Sequence, residues 1–162
     1  MREFITSTGG ATITGSLTLV FLNPPAAPNF NIAALRAWIG QAANATSAQQ
    51  QIQLHTQVTA FPTLTGALPA KVKRADPNVS ILVSSTTGAA ATSGVNSSTD
   101  NGGAQTVILS DAFNVLNGWL YVPTPDEVIV VPAGSTSGLG LKLPVAPATL
   151  TAWGFGVTFG ER

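Results

Sequence analysis

The stretch L-T-A-W-G-F-G-V-T-F-G-E, residues 150–161, decides how the chain is read. Trp153, Phe155, Val157 and Phe159 occupy every second position. A strand sends such positions to one face. Ala152, Gly154, Gly156, Thr158 and Gly160 fall on the other face, which is nearly bare. Glycine weakens a strand, so three on one face call for a physical reason. The reason expected is another backbone or a bulky ring lying close against that face. The stretch reads as a central strand of a β-sandwich, with a core on one side and a close neighbour on the other.

Upstream of it, Leu139, Leu141 and Leu143 alternate with Gly140 and Lys142. Val128–Val131, Trp119–Val122 and Ala104–Leu109 also read as strands, while Ser110–Gly118 resembles one capped helical turn ending at glycine. Near the start, Ile13, Gly15, Leu17, Leu19 and Phe21 share one face of a strand over Ala11–Leu22, which Asn23-Pro24-Pro25 stops. Ala70–Arg74 carries Lys71, Lys73 and Arg74, as a protected edge strand does, and Asp76-Pro77-Asn78 turns it into Val79–Ser84. Asn31 can cap a short helix over residues 32–39, with Ile32, Leu35, Trp38 and Ile39 as its apolar stripe and Gly40 as its stop. That spacing puts Trp38 in the core; a ligand-stacking platform is its functional alternative. Eight or nine strands with turn signals between them imply an all-β fold, an antiparallel β-sandwich of jelly-roll-like form with that one helix. Residues 1–10 are expected as an N-terminal arm and residues 11–162 as one domain. Within it, T-T-G-A-A-A-T-S-G-V-N-S-S-T-D-N-G-G, residues 86–103, reads as a long loop.

Composition narrows the function. Charged residues are 9% of the chain, against about 25% in an ordinary globular protein. Ser, Thr, Asn, Gln, Gly and Ala replace them, which leaves a surface poorly protected against association and suited to being covered by partners. Seven basic residues balance seven acidic ones, so no basic surface for nucleic acid is expected. Cysteine is absent, which removes disulfides, zinc–thiolate sites and cysteine catalysis. The N-terminus does not read as a secretory signal, and no apolar run of about 18 residues suggests a membrane helix.

The residues that could carry chemistry are few. His55 is the single histidine and sits in an alternating segment, Gln50–Phe61. There Gln51, Gln53, His55 and Gln57 oppose Ile52, Leu54, Thr56 and Val58. This ladder suits a hydrogen-bonded protein interface, a sugar-binding surface or a plain solvated face. No G-x-S-x-G accompanies the histidine, and Asp126 and Glu127 are adjacent, so on a strand they point apart. Asp100-Asn101 is a weak calcium candidate. Asn44-Ala45-Thr46 fits the glycosylation pattern but reads as chance in a chain this rich in Asn, Ser and Thr. No catalytic residue, cofactor or metal is assigned.

The segments W-L-Y-V-P-T-P-D-E-V-I-V-V-P-A-G-S from Trp119, L-K-L-P from Leu141 and the closing W-G-F-G-V-T-F-G-E resemble small accessory proteins of tailed-phage virions, the cement or decoration proteins of the head. The resemblance covers the last third in detail and the rest in composition. It implies a β-sandwich that sits as a trimer or a monomer over capsomer junctions on the capsid surface and clamps neighbouring major capsid protein subunits without catalysis; self-association as a homotrimer is expected. The contact residues expected are Arg2 and Phe4 in the arm, Gln51, Gln53, His55 and Gln57 in the ladder, and Asn96, Asp100 and Asn101 in the long loop. A carbohydrate-binding module or receptor-binding tip, with Trp119, Tyr121 or Trp38 as platform, is the alternative.

Overall fold

Alternation dominates the computed structural model, which describes residues 1–43, 47–134 and 136–162. Its described residues form thirteen strands and no helix. They are β1 (Arg2–Ala11), β2 (Thr18–Asn23), β3 (Ile32–Gln41), β4 (Gln49–Val58), β5 (Thr63–Gly66), β6 (Ala70–Lys71), β7 (Val83–Ser84), β8 (Thr92–Thr99), β9 (Ala104–Asn114), β10 (Trp119–Tyr121), β11 (Ile129–Val131), β12 (Ser137–Lys142) and β13 (Trp153–Glu161). One sheet has the order β10-β3-β13-β1-β6, with β11 also on β3. The other runs β5-β8-β2-β12-β4-β9, with β7 also on β8.

The pairing is nested. β1 pairs with β13, β2 with β12, β3 with β10 and β11, and β4 with β9, all antiparallel. Successive pairs alternate between the two sheets. The chain is thus a long hairpin wound on itself, which is how a jelly roll builds two packed sheets from antiparallel neighbours. The segment from β5 to β8 is an insertion that adds β8, β5 and β7 at the β2 edge of the second sheet and β6 at the β1 edge of the first.

β13 is the axis of the first sheet. Trp153, Phe155, Val157 and Phe159 are all buried between the sheets, as their alternation requires. Phe4 of β1 lies 5.9 Å from Phe159, ring centre to ring centre, and Phe113 of β9 meets Trp153 edge-on at 6.5 Å. On the opposite face, Trp38 of β3 is paired with Gly156, and its ring spreads over the glycine positions. A Cβ on Gly156 would stand 3.0 Å from Trp38 Cζ2, and one on Gly154 would stand 3.6 Å from Trp38 Cζ3. Gly160 is covered in the same way by Met1 and Leu35. The bare face expected of this strand is therefore a seat for side chains of its neighbours.

This arrangement corrects four expectations. The helix over residues 32–39 is strand β3. Two turns of isolated helix bury one stripe, whereas strand β3 hydrogen-bonds on both edges, to β13 and to β10 and β11. The N-terminal arm is strand β1, inserted between β13 and β6. Arg2 locks its start by an ion pair with the buried Glu161 at 2.8 Å and lies 4.4 Å above the Phe30 ring. The long loop over residues 86–103 contains strand β8, eight residues on β2 and β5. The helical turn over Ser110–Gly118 is the end of β9 followed by a turn in which Asn117 N–H donates to Asn114 O. The Asn44-Ala45-Thr46 pattern lies outside the described residues.

Gly156→Val should lower stability by about 1–3 kcal/mol, because the new side chain displaces Trp38 and Ser7 from a filled surface. Gly40→Ala, at a strand position with nothing within 4 Å of the new Cβ, should be neutral or stabilising by up to ~1 kcal/mol. Denaturant midpoints of the two variants check this, and equal losses would contradict it.

Candidate functional site

The Gln/His ladder lies on β4, and β12 sets its surroundings. Gln53 pairs with Lys142, His55 with Gly140 and Gln57 with Gly138. These residues share the face of the second sheet that points away from the core. Both glycines leave room for rings: a Cβ on Gly140 would overlap the His55 imidazole, and one on Gly138 would overlap Phe21. The face is not open to solvent. His55, Gln57, Phe21 and Thr92 are buried beneath the turns that flank β5 and β8. Phe61 lies 5.9 Å from Phe21, ring centre to ring centre.

Asp100 buckles this cover down. Its carboxylate accepts hydrogen bonds from Thr18 N at 3.0 Å and Ser97 Oγ at 3.2 Å. It also pairs with Lys142 Nζ at 2.7 Å. Its backbone oxygen accepts from Gln57 Nε2 at 2.8 Å, and Gln57 Oε1 accepts from Gln105 Nε2 at 2.9 Å. Lys142 donates further to Gln105 Oε1 at 3.1 Å. Next to it, Asn101 Nδ2 donates to Phe61 O at 2.8 Å and Thr63 Oγ1 at 3.0 Å. Burial works against the Asp100 charge, but the bonds from Lys142 and Thr18 outweigh it and hold the carboxyl below its ordinary value.

His55 is sealed inside this network, and neither ring nitrogen has a hydrogen-bond partner among the described residues. Burial pushes its pKa down from 6.5 to about 4, the nearby Lys142 charge adds to that, and Asp100 offsets part of it. Gln57 lies close enough to favour the charged ring slightly, yet it makes no bond of acceptable geometry to it. A neutral imidazole with no solvent-exposed surface cannot receive a substrate in this conformation.

The expected contact residues thus divide. Phe4, His55 and Gln57 are buried and offer nothing to a partner; Phe4 is core, and the ladder's lower half is roofed by the insertion. Arg2 and Asp100 are committed to Glu161 and Lys142. Gln51 and Asn101 are exposed, and Gln53 and Asn96 are half-buried. The ladder residues and Asp100 come together; Arg2 sits in the other sheet. Lys142 was missed as a member of the cluster. Its signal was the period-two run Gly138, Gly140, Lys142, facing the same way as the ladder.

Two other surfaces stand out. Trp38, Leu116, Leu120 and the glycines 9, 40, 118 and 154 line a groove of about 520 Å³ on the outer face of the first sheet, with no charged residue in its lining. The second is β9, whose Val107 and Ile108 are 47% and 46% exposed. Trp119 and Tyr121 are half-buried and stacked 6.2 Å apart, with Trp119 Nε1 donating to Asp111 Oδ2 at 2.9 Å.

Because His55 is held neutral, the fold gains from it above pH 6.5. That gain is lost as pH falls through the interval from 6.5 to about 4, where only the unfolded chain takes up the proton. The loss should reach about 3 kcal/mol. The Asp100 contribution disappears with acid in the same direction, lower in the scale. His55→Phe should flatten the pH dependence of the urea midpoint between pH 6.5 and 4, and an unchanged slope would contradict the assignment. No family model, curated protein or solved structure matches this chain.

Proposed function

We propose that this chain is a virion structural protein, a capsid cement or decoration protein. In this reading it lies on the outer surface of a tailed-phage head and stabilises contacts between major capsid protein subunits. One observation carries it. Large apolar side chains stand exposed where the sheets end: Val107 and Ile108 on β9, and Leu120, Val122 and Val130 at 55%, 64% and 41% on and beside β10 and β11. Free sheet ends with aliphatic side chains and little charge are surfaces that other proteins cover. The uncharged remainder can meet a partner through hydrogen bonds and trapped water without desolvating ions. The wound two-sheet architecture is compatible with this role but is shared by proteins of many functions.

A second reading, a carbohydrate-binding or receptor-binding tip domain, is favoured by Trp38. Its ring lies against Gly154 and Gly156 of β13, and its Nε1 makes no hydrogen bond to the protein among the described residues. An aromatic face with a free donor beside an uncharged groove suits a sugar ring.

Gold-labelled antibody against the chain, applied to intact virions of the phage that encodes it, separates the two. Label over the whole head is the expected result. Label confined to the tail tip, with glycan binding abolished by Trp38→Ala, would replace the first reading by the second.

A further inference from the structure

Every sheet edge leaves backbone N–H and C=O groups without a ladder partner, and proteins shorten or charge such edges to avoid pairing with other chains. Three of the four edges here follow that rule. β6 has two residues and runs into Lys73 and Arg74, β10 and β11 have three residues each, and β5 has four. The fourth, β9, has eleven residues with Asp111 as their one charge, contains no lysine, arginine or proline, and among the described residues has only β4 beside it.

Its sequence adds a second observation. A-Q-T-V-I-L-S-D-A, residues 104–112, reads nearly the same in chemical class from both ends, the exception being the neutral amide Gln105 against the acid Asp111. Ala104 matches Ala112, Gln105 matches Asp111, Thr106 matches Ser110, and Val107 matches Leu109 about Ile108. Two antiparallel strands related by a two-fold axis place residue i opposite its mirror position. Centred on Ile108, such a pair sets aliphatic residues against aliphatic ones and hydroxyls against hydroxyls. It also puts each Asp111 opposite an uncharged amide rather than its own twin. Opposed pairs of like character are what stabilise an antiparallel ladder. The one irregularity of β9 falls between Val107 and Leu109, which pair with consecutive β4 residues and leave Ile108 as the extra residue. It therefore sits at the centre of symmetry and leaves both arms regular. Asp111 Oδ1 already accepts from Ala112 N at 2.8 Å, which ends the ladder there.

We infer that β9 is a self-pairing edge. Its occupant is β9 of a second copy of this chain, antiparallel about a two-fold at Ile108, joining the two β9-bearing sheets into one. The inference does not depend on the capsid reading, and its two-fold symmetry differs from the expected homotrimer. Nine residues give about 30 Å of ladder. That length alone falls short of the roughly 1,000 Å² that a stable interface buries, so the dimer is weak in dilute solution and forms where copies are crowded.

Sedimentation of the full chain over a concentration series tests it. The expected result is a reversible monomer–dimer equilibrium that Ile108→Lys weakens by roughly tenfold or more, since two like charges then meet at the axis. Leu120→Lys, on the far sheet's edge, should leave it unchanged, with circular dichroism showing both variants folded. Because the chain has no cysteine, Ile108→Cys provides a check that does not need tight association. Under oxidation it should yield a covalent dimer, as two Cα atoms about 5.5 Å apart allow, while Val130→Cys stays monomeric. A strict monomer whose Ile108→Cys form does not cross-link, a stable trimer, or association lost with Leu120→Lys and kept with Ile108→Lys would each overturn the inference.

Discussion

A tryptophan ring seated against the glycines of its neighbouring strand holds the first sheet in register. Trp38 stands beside Gly156, its ring takes up space that a side chain at Gly156 would need, and it reaches van der Waals contact with the position of Gly154. Sliding β3 by one residue would turn the ring into the core and bring Ala37 out, so the register tolerates no slip. With β3 and β13 fixed, the opposite face of β13 must present Trp153, Phe155, Val157 and Phe159 together, and the second sheet packs on them. Glycine in mid-strand costs stability, and the contact with Trp38 is what offsets that cost.

The same device recurs in the second sheet, where Gly138 and Gly140 of β12 receive Phe21 and His55. There the rings face outward, so they need a roof, and the β5–β8 insertion supplies it. The roof is fastened by one largely buried carboxylate, 13% exposed, with a single cationic partner. Breaking a pair of this kind from one side leaves a buried charge without compensation. The chain thus spends four of its fourteen charged residues, Arg2, Glu161, Lys142 and Asp100, on internal fastening. That leaves the surface still less charged than the composition suggests.

The alternation of residues 153–159, the strand at Gln50–Val58 and the strand nature of Leu139–Leu141 were legible because period two and burial on one face coincide there. β3 was misread because Ile32, Leu35 and Ile39 also satisfy a helical spacing, and because Leu35 is an extra residue opposite Thr158 and Phe159, which moves the core positions from Ile32 and Ala34 to Ala37 and Ile39 and breaks the period of two. β8 was invisible for a different reason. Its T-S-G-V-N-S-S-T sequence is buried polar on both sides, with Thr92 and Ser93 wholly inaccessible, and only tertiary context makes that a strand. The ladder's chemistry was correctly seen on one face of β4. Its closure could not be, since the residues that cover it arrive from turns tens of residues away.

The account stands or falls on β13 being the shared inner strand of β1 and β3. Amide hydrogen exchange followed residue by residue measures this directly. The account predicts that residues 4–7, 37–39 and 155–159 exchange together, at the slow rate set by global unfolding. Fast exchange over residues 4–7 while 155–159 stay protected would show the N-terminal segment detached, and would contradict it.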